Sequence, residues 1–173
     1  MKTSYEQAVT LQEQWTQAGH PPDICRCCGA HVPNGVQGCF ELYTQLSVQP
    51  VAQAAPPAAS TYRVNAHALQ HPEIHGKTNN AAHLLWLCWL FEYDGDADLP
   101  GGPPWWQRNP KRSEVPTLVA PDFRGALTVV DVARAPSPNE HLMLAEQWAR
   151  AVYHAWQAHH DWARREIQRR WAP

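Results

Sequence analysis

Three cysteines, Cys25, Cys28 and Cys39, have the clearest potential chemistry in this chain. Two cysteines separated by two residues can turn both sulfurs towards one tetrahedral ion, and the glycine at position 29 tolerates the positive φ that such a turn needs. Cys39 follows after a short loop that contains proline and glycine, where a helix is predicted to begin. Three thiolates are one ligand short of a closed site, so the spacing predicts a zinc ion whose fourth ligand is a histidine.

The chain has ten histidines, and four of them are candidate ligands. His71 is the preferred fourth ligand of the cysteine site, although a histidine that ends a helix before a proline also suits the helix dipole. His83 lies on an otherwise apolar helix, where a buried unpaired imidazole costs about 1–3 kcal/mol, so it is either a hydrogen-bonded core residue or a ligand. The pair at 159 and 160 is either solvated or functional. The candidate metal ligands are therefore Cys25, Cys28, Cys39, His71, His83, His159 and His160.

These candidates allow two arrangements. In the first, the three cysteines and His71 hold a structural zinc ion that fixes the cysteine turn to the helices. In the second, His71, His83 and one of the 159–160 pair converge in the core on a second metal ion with an open position. Such an ion lowers the pKa of a bound water towards ~7 or binds a thiolate. Glu92 and Asp131 are candidate bases for that site.

The remaining cysteines and histidines have simpler interpretations. Cys27 should point away from its two neighbours, and Cys88 is predicted to be a small core residue. His67 lies four residues before His71 and can share its helix face. The other histidines are predicted to lie on the surface: His20, His31, His75, His141 and His154.

Composition limits the function classes. The chain has 173 residues, a net charge of -2 and a pI near 6.5, so charge gives no reason to expect nucleic acid or an anionic membrane as a partner. Five cysteines, three of them within four residues, suit a reducing cytoplasm better than a disulfide framework. No secretory signal is visible, and the apolar run 81–91 is too short to span a bilayer. A small-molecule ligand is compatible with these properties, and the oligomeric state is left open.

Hydrophobic periodicity predicts a mainly α-helical bundle. Residues 81–91 are apolar on all sides and should form the central buried helix. A single domain, 1–173, is predicted to contain a cysteine knuckle with a short helix at 20–48, a Pro/Ala loop at 49–60 and a long excursion rich in Gly, Pro and Trp at 94–125. Other predicted helices cover about residues 5–18, 62–71 and 138–170, with a short one after Thr128.

The clearest helix start is the capping box from Ser137 to Glu140, with proline at the first helical position. The helix that it opens is predicted to run to about residue 170. At ~100° per residue, His159 falls within the apolar stripe that contains Trp156, and His160 falls at the edge of that stripe.

Several of these motifs resemble a family of uncharacterised bacterial domains. They are the CxxCGA sequence from Cys25, the QHP sequence that ends at Pro72, the AHL sequence around His83, and Trp156 followed by the 159–160 pair. The resemblance covers nearly the whole chain except residues 1–20 and 94–125. Because the family has no established activity, it implies the positions of a site and not a reaction.

The chain departs from the family pattern at three positions. Ser60 stands where a histidine is usual, Asn65 where an aspartate is usual, and His67 where a tyrosine is usual. If the replaced histidine and aspartate are functional in the family, this chain should lack or alter that activity. A three-histidine site in a helical bundle is also similar, in architecture alone, to the DinB-like metal-dependent proteins.

The sequence thus favours a zinc-binding protein of unknown cellular role. A first alternative is a metal-dependent hydrolase or thiol transferase that acts on a small molecule, which requires a pocket with at least three convergent polar side chains. A second alternative is a zinc-stabilised protein-interaction module, which requires an exposed apolar patch, expected around Trp105 and Trp106.

Overall fold

A computed structural model describes residues 4–99 and 115–171. Within these two ranges the chain forms eight α-helices and no β-strand, which confirms the predicted mainly helical fold. A short 3-10 turn, Gln157–His159, separates the last two helices. The helices are α1 (Ser4–Gln17), α2 (Val36–Val48), α3 (Pro50–Ala54), α4 (Pro57–Gln70), α5 (Pro72–Glu92), α6 (Val129–Ala133), α7 (Pro138–Ala155) and α8 (His160–Trp171).

Helix α5 forms the centre of the packing and contacts α1, α4, α7 and α8. Its leucines at 84, 85 and 87 are at most 1% exposed, which confirms the predicted buried helix. The helix begins earlier than predicted, since Pro72 occupies its first turn and a kink at Gly76 (φ 72°, ψ 163°) separates that turn from the rest. The amide of Asn80 donates to the carbonyl of Pro72 across this kink.

Helix α4 packs along α7, and two buried tryptophans join the two helices through hydrogen bonds. The Nε1–H of Trp148 donates to the side-chain oxygen of Gln70 at 3.0 Å, and that of Trp156 donates to the carbonyl of Leu69 at 3.2 Å. The two acceptors belong to the two residues that come before His71. The tryptophans therefore fix the end of α4, where the predicted fourth ligand lies.

The predicted loop at 49–60 is wrong, because α3 and the first turn of α4 lie within it. Pro50 and Pro57 each stand at the first helical position, where the fixed φ of proline and its missing N–H are compatible with a helix. The proline-rich composition therefore marks two helix starts. Residues 94–99 and 115–125 have no regular helix, whereas 100–114, with Trp105 and Trp106, lie outside the described residues.

The prediction of one helix from 138 to 170 is also wrong. Helix α7 ends at Ala155, and Trp156 (φ -87°, ψ 16°) leaves the helical conformation before the 3-10 turn. Because the turn changes the register, His160 is 8% exposed and His159 is only half-buried, the reverse of the predicted order. In the described ranges, no helix is long and apolar enough to cross a membrane.

Candidate metal centre

The first two cysteines lie on a tight turn closed by backbone hydrogen bonds. The N–H of Cys25 donates to the carbonyl of Ala30, and the N–H of Gly29 donates to the carbonyl of Cys25, both at 2.8 Å. An antiparallel bridge between Ile24 and His31 closes the base of the turn. Gly29 has a φ of +77°, the conformation predicted for the glycine after the second cysteine.

Cys39 lies in the first turn of α2, which packs closely against the preceding loop. A Cβ atom on Gly38 would lie 1.7 Å from the carbonyl oxygen of Pro33, so only glycine fits there. The side chain of Gln12 on α1 connects this helix start to the cysteine turn. Its oxygen accepts from the N–H groups of Arg26 (2.9 Å) and Val36 (3.3 Å). Sequence reasoning missed Gln12, whose position in α1 carries no motif.

His71 caps the end of α4 and directs its ring towards the cysteines. Its Nδ1–H donates to the carbonyl of His67 at 2.8 Å, so in the neutral ring the lone pair lies on Nε2. Nε2 lies 3.6 Å from the Sγ of Cys25 and 3.4 Å from the Sγ of Cys39. Histidines that bind metals are commonly oriented by such a bond from the other ring nitrogen.

The ligand atoms of Cys25, Cys28, Cys39 and His71 all lie within 4.8 Å of one another. In the described residues, this is the one group of three or more such side chains with that geometry. The sulfurs of Cys28 and Cys39 are 3.7 Å apart. A tetrahedral zinc ion with Zn–S of about 2.3 Å and Zn–N of about 2.0–2.1 Å requires S···S of about 3.8 Å and S···N of about 3.6 Å. The three spacings given above match these edges, and all the others are at most 4.8 Å, so the cluster can hold a metal ion.

In the ion-free cluster, the shifts in pKa favour a negative charge on the sulfur of Cys25 and a positive charge on the imidazole of His71. Hydrogen bonds from the thiols of Cys27, Cys28 and Cys39 lower the pKa of Cys25. Burial opposes the charge on His71, but the nearby sulfurs of Cys28 and Cys25 raise its pKa to about 10. The hydrogen bond to Cys25 raises the pKa of Cys39. A metal ion that binds here must displace protons from Cys39 and His71, which makes its affinity pH-dependent.

A network of side chains behind the cluster supports His71. The amide of Gln70 donates to the carbonyls of Arg124 (3.0 Å) and Leu127 (2.8 Å). The guanidinium of Arg124 in turn donates to the carbonyl of Gln70 and forms a two-point ion pair with Glu73. These bonds hold in place the chain before His71, at Gln70, and the chain after it, at Glu73. The QHP motif contains Gln70, but no local signal identified Arg124 as its partner.

A cavity of about 330 Å³ lies on the outer side of the cluster. Cys28 is the half-buried ligand and lines this cavity together with Cys27, whereas Cys39 is fully buried. Cys27 is not a member of the metal-ligand group, as predicted. The prediction that it points away from its neighbours is wrong, because its thiol is 4% exposed and hydrogen-bonds to the sulfur of Cys25. Cys88 lies in the core on α5, also as predicted.

The other three predicted ligands lie outside this group and have partners of their own. The Nδ1–H of His83 donates to the Oδ1 of Asn65 at 3.0 Å. Nε2 of His159 donates to the carbonyl of Val119 at 2.8 Å, and Nε2 of His160 donates to that of Tyr153 at 2.9 Å. The structure therefore does not bring His83, His159 and His160 together with His71 at one ion.

The two candidate bases have structural partners. Oδ2 of Asp131 accepts from the N–H of Thr128 at 2.8 Å and caps α6, which confirms the predicted helix start. Glu92 accepts from the hydroxyl of Tyr153 and from the guanidinium of Arg164. These three residues line a cavity of about 260 Å³ between α5, α7 and α8, where they satisfy one another.

The predicted surface histidines divide into two groups. His20, His31 and His154 are exposed, as predicted. His141 is 1% exposed, and His75 is half-buried with a buried Nε2, so the surface prediction is wrong for both. His75 lies near the start of α5, and His141 lies near the start of α7. The polar residues around each histidine predicted an exposed helix end and gave no sign that other helices cover it.

Comparison with known proteins identifies one family. A family model described as Family of unknown function (DUF5946) matches residues 23–157, which include all four residues of the cluster. No curated protein and no solved structure matches the chain. The comparisons show no link to the DinB-like proteins.

Proposed function

The chain belongs to this family of unknown function, DUF5946, and from the chemistry of its own residues we propose that it is a zinc-binding protein. Cys25, Cys28, Cys39 and His71 hold one zinc ion. The observation that carries this proposal is that the four ligand atoms lie within 4.8 Å of one another and that three of their spacings, 3.4, 3.6 and 3.7 Å, agree with the edges of a zinc tetrahedron.

The ligand types support zinc over the other common cations. Thiolate and imidazole suit zinc, whereas calcium and magnesium take oxygen ligands. Four protein ligands fill a tetrahedral ion completely, and such closed, sulfur-rich sites are structural. The ion therefore stabilises the fold and has no free coordination position for a substrate.

The position of the cluster explains what the ion stabilises. Its ligands come from the cysteine turn, the start of α2 and the junction between α4 and α5. A single ion thus joins three segments that are up to 46 residues apart in the chain. Since an unfolded chain has no preformed site, the free energy of metal binding contributes to folding.

Elemental analysis of protein purified without added metal and kept reduced tests this proposal. Wild-type protein should carry about one zinc ion per chain, and Cys28→Ser should lose it. Cys27→Ser is the matched control, because it changes a thiol of the same turn that is not a ligand. An absence of zinc from reduced wild-type protein, or equal zinc in the two variants, would contradict the proposal.

The two alternative functions stay predictions. A metal-dependent hydrolase or thiol transferase needs an ion with an open position, which the closed cluster does not offer. The interaction module was predicted from Trp105 and Trp106, which lie outside the described residues.

A further inference from the structure

Three histidines beside the cluster form a second group of imidazoles. His67 lies on α4, and His75 and His83 lie on α5 on either side of the kink at Gly76. The ring centres of His67 and His75 are 6.5 Å apart, and those of His75 and His83 are 5.8 Å apart. Both pairs are nearly perpendicular, at 88° and 75°, so these contacts are not ring stacking.

Two of these rings have a buried nitrogen without a partner. His67 is 2% exposed, and within the described part of the chain no group hydrogen-bonds to its buried Nε2. The same holds for the buried Nε2 of His75 among these residues. Each such nitrogen costs about 1–3 kcal/mol when it is left unsatisfied. Two adjacent rings that each have an unsatisfied Nε2 indicate a ligand that both of them bind.

The third ring has the orientation of a metal ligand. The amide nitrogen of Asn65 donates to the carbonyl of Thr61 at 2.7 Å, so its Oδ1 faces His83. The Nδ1 of His83 must therefore carry the proton, and the lone pair lies on Nε2. This is the same support that the carbonyl of His67 gives to His71 in the cysteine cluster.

We propose that His67, His75 and His83 bind a second ion, a divalent transition metal such as zinc, cobalt or nickel. Imidazole is a preferred ligand of these ions, and three protein ligands leave a fourth position open, as in catalytic zinc sites. This site has no ligand in common with the cysteine cluster.

The rings must move slightly closer to share an ion. Two imidazoles on one tetrahedral ion have ring centres roughly 5 Å apart, about 1 Å closer than the two observed pairs. The kink beside His75 leaves room for this movement, because Gly76 is exposed and no heavy atom of the described residues lies within 4 Å of the position of a Cβ on it. The backbone that carries His75 can therefore adjust while α4 and the rest of α5 stay in place.

Cobalt(II) titration of tag-free, reduced protein tests the second site. The first equivalent should produce intense thiolate-to-cobalt charge-transfer absorption from the cysteine cluster. A second equivalent should bind without any increase in that absorption and produce only the weaker visible bands of a nitrogen-ligated ion. Isothermal calorimetry with zinc should likewise give two events per chain.

Variants separate the two sites. His75→Ala should weaken the second event by about 100-fold or more and leave the first unchanged, whereas His154→Ala, an exposed histidine on α7, should change neither. Asn65→Leu should weaken the second event by about 10–100-fold, since it removes the acceptor that orients His83. Saturation of wild-type protein at one equivalent, or a second event that persists in both His75→Ala and Asn65→Leu, would overturn the proposal.

Discussion

Replacement of Cys39 by serine tests how far metal binding supports the fold. Cys39 is fully buried, and its sulfur lies 3.7 Å from that of Cys28 and 3.4 Å from Nε2 of His71. A hydroxyl at this position is a poor zinc ligand, so Cys39→Ser should lose the ion. Binding that is specific to the folded state contributes RT ln(1 + [L]/Kd), about 4.1 kcal/mol when free zinc is a thousandfold above Kd.

This free energy predicts a measurable change in melting temperature. For a chain of this length, 1 kcal/mol shifts Tm by roughly 2–4 °C, so loss of the ion should lower Tm by about 8–16 °C. Differential scanning calorimetry with and without a chelator measures the change. The chelator should lower the Tm of wild-type protein and leave that of Cys39→Ser unaffected.

Cys88→Ser is the matched control, because it replaces a buried thiol on α5 that lies outside the cluster. It should retain zinc and the response to the chelator, whatever its own effect on packing. A Cys39→Ser protein that keeps one zinc ion per chain, or a wild-type Tm that does not respond to metal removal, would refute the reasoning.

Three further outcomes follow from the geometry. Trp148→Phe should destabilise the protein by about 1–3 kcal/mol in urea unfolding, because the buried side-chain oxygen of Gln70 loses its donor. Gly38→Ala should cost about 3 kcal/mol or more and reduce the zinc content, because the new Cβ would collide with the carbonyl of Pro33. Burial and the nearby His75 lower the pKa of His83 to about 3, below its unfolded value of about 6.5. The unfolded chain therefore binds more protons between these values, and metal-free protein should lose up to about 1.4 kcal/mol per pH unit below pH 6.5, a slope that His83→Asn should reduce.

The cysteine site was predictable from the sequence because most of its geometry is local. The two-residue spacing of Cys25 and Cys28 and the positive φ of Gly29 are properties of five consecutive residues. His71 was preferred as the fourth ligand, and the structure brings it to the cluster. Its position at a helix end before Pro72 gave the ring a fixed direction that a mid-helix histidine would not have.

The residues that position these ligands were not predictable, because their contacts are long-range. Gln12 acts across 14 and 24 residues, and Gln70 acts across more than 50. A single glutamine in a helix carries no periodic signal for such partners. The placement of His159 and His160 failed for a different reason, since a constant 100° per residue does not hold across the break at Trp156.

His67 connects the cysteine cluster to the second group of histidines. Its carbonyl accepts the hydrogen bond from the Nδ1–H of His71 that orients Nε2 towards the cysteines, and its ring stacks on that of His71 with centres 4.1 Å apart. The opposite face of the ring stacks on Tyr43 from α2, at 4.0 Å. The proposed ion in the cysteine cluster would fix α2 and the end of α4, and therefore both of the side chains that hold this ring. The unpartnered Nε2 of His67 thus lies in a rigid setting, which lowers the entropic cost of binding a second ion.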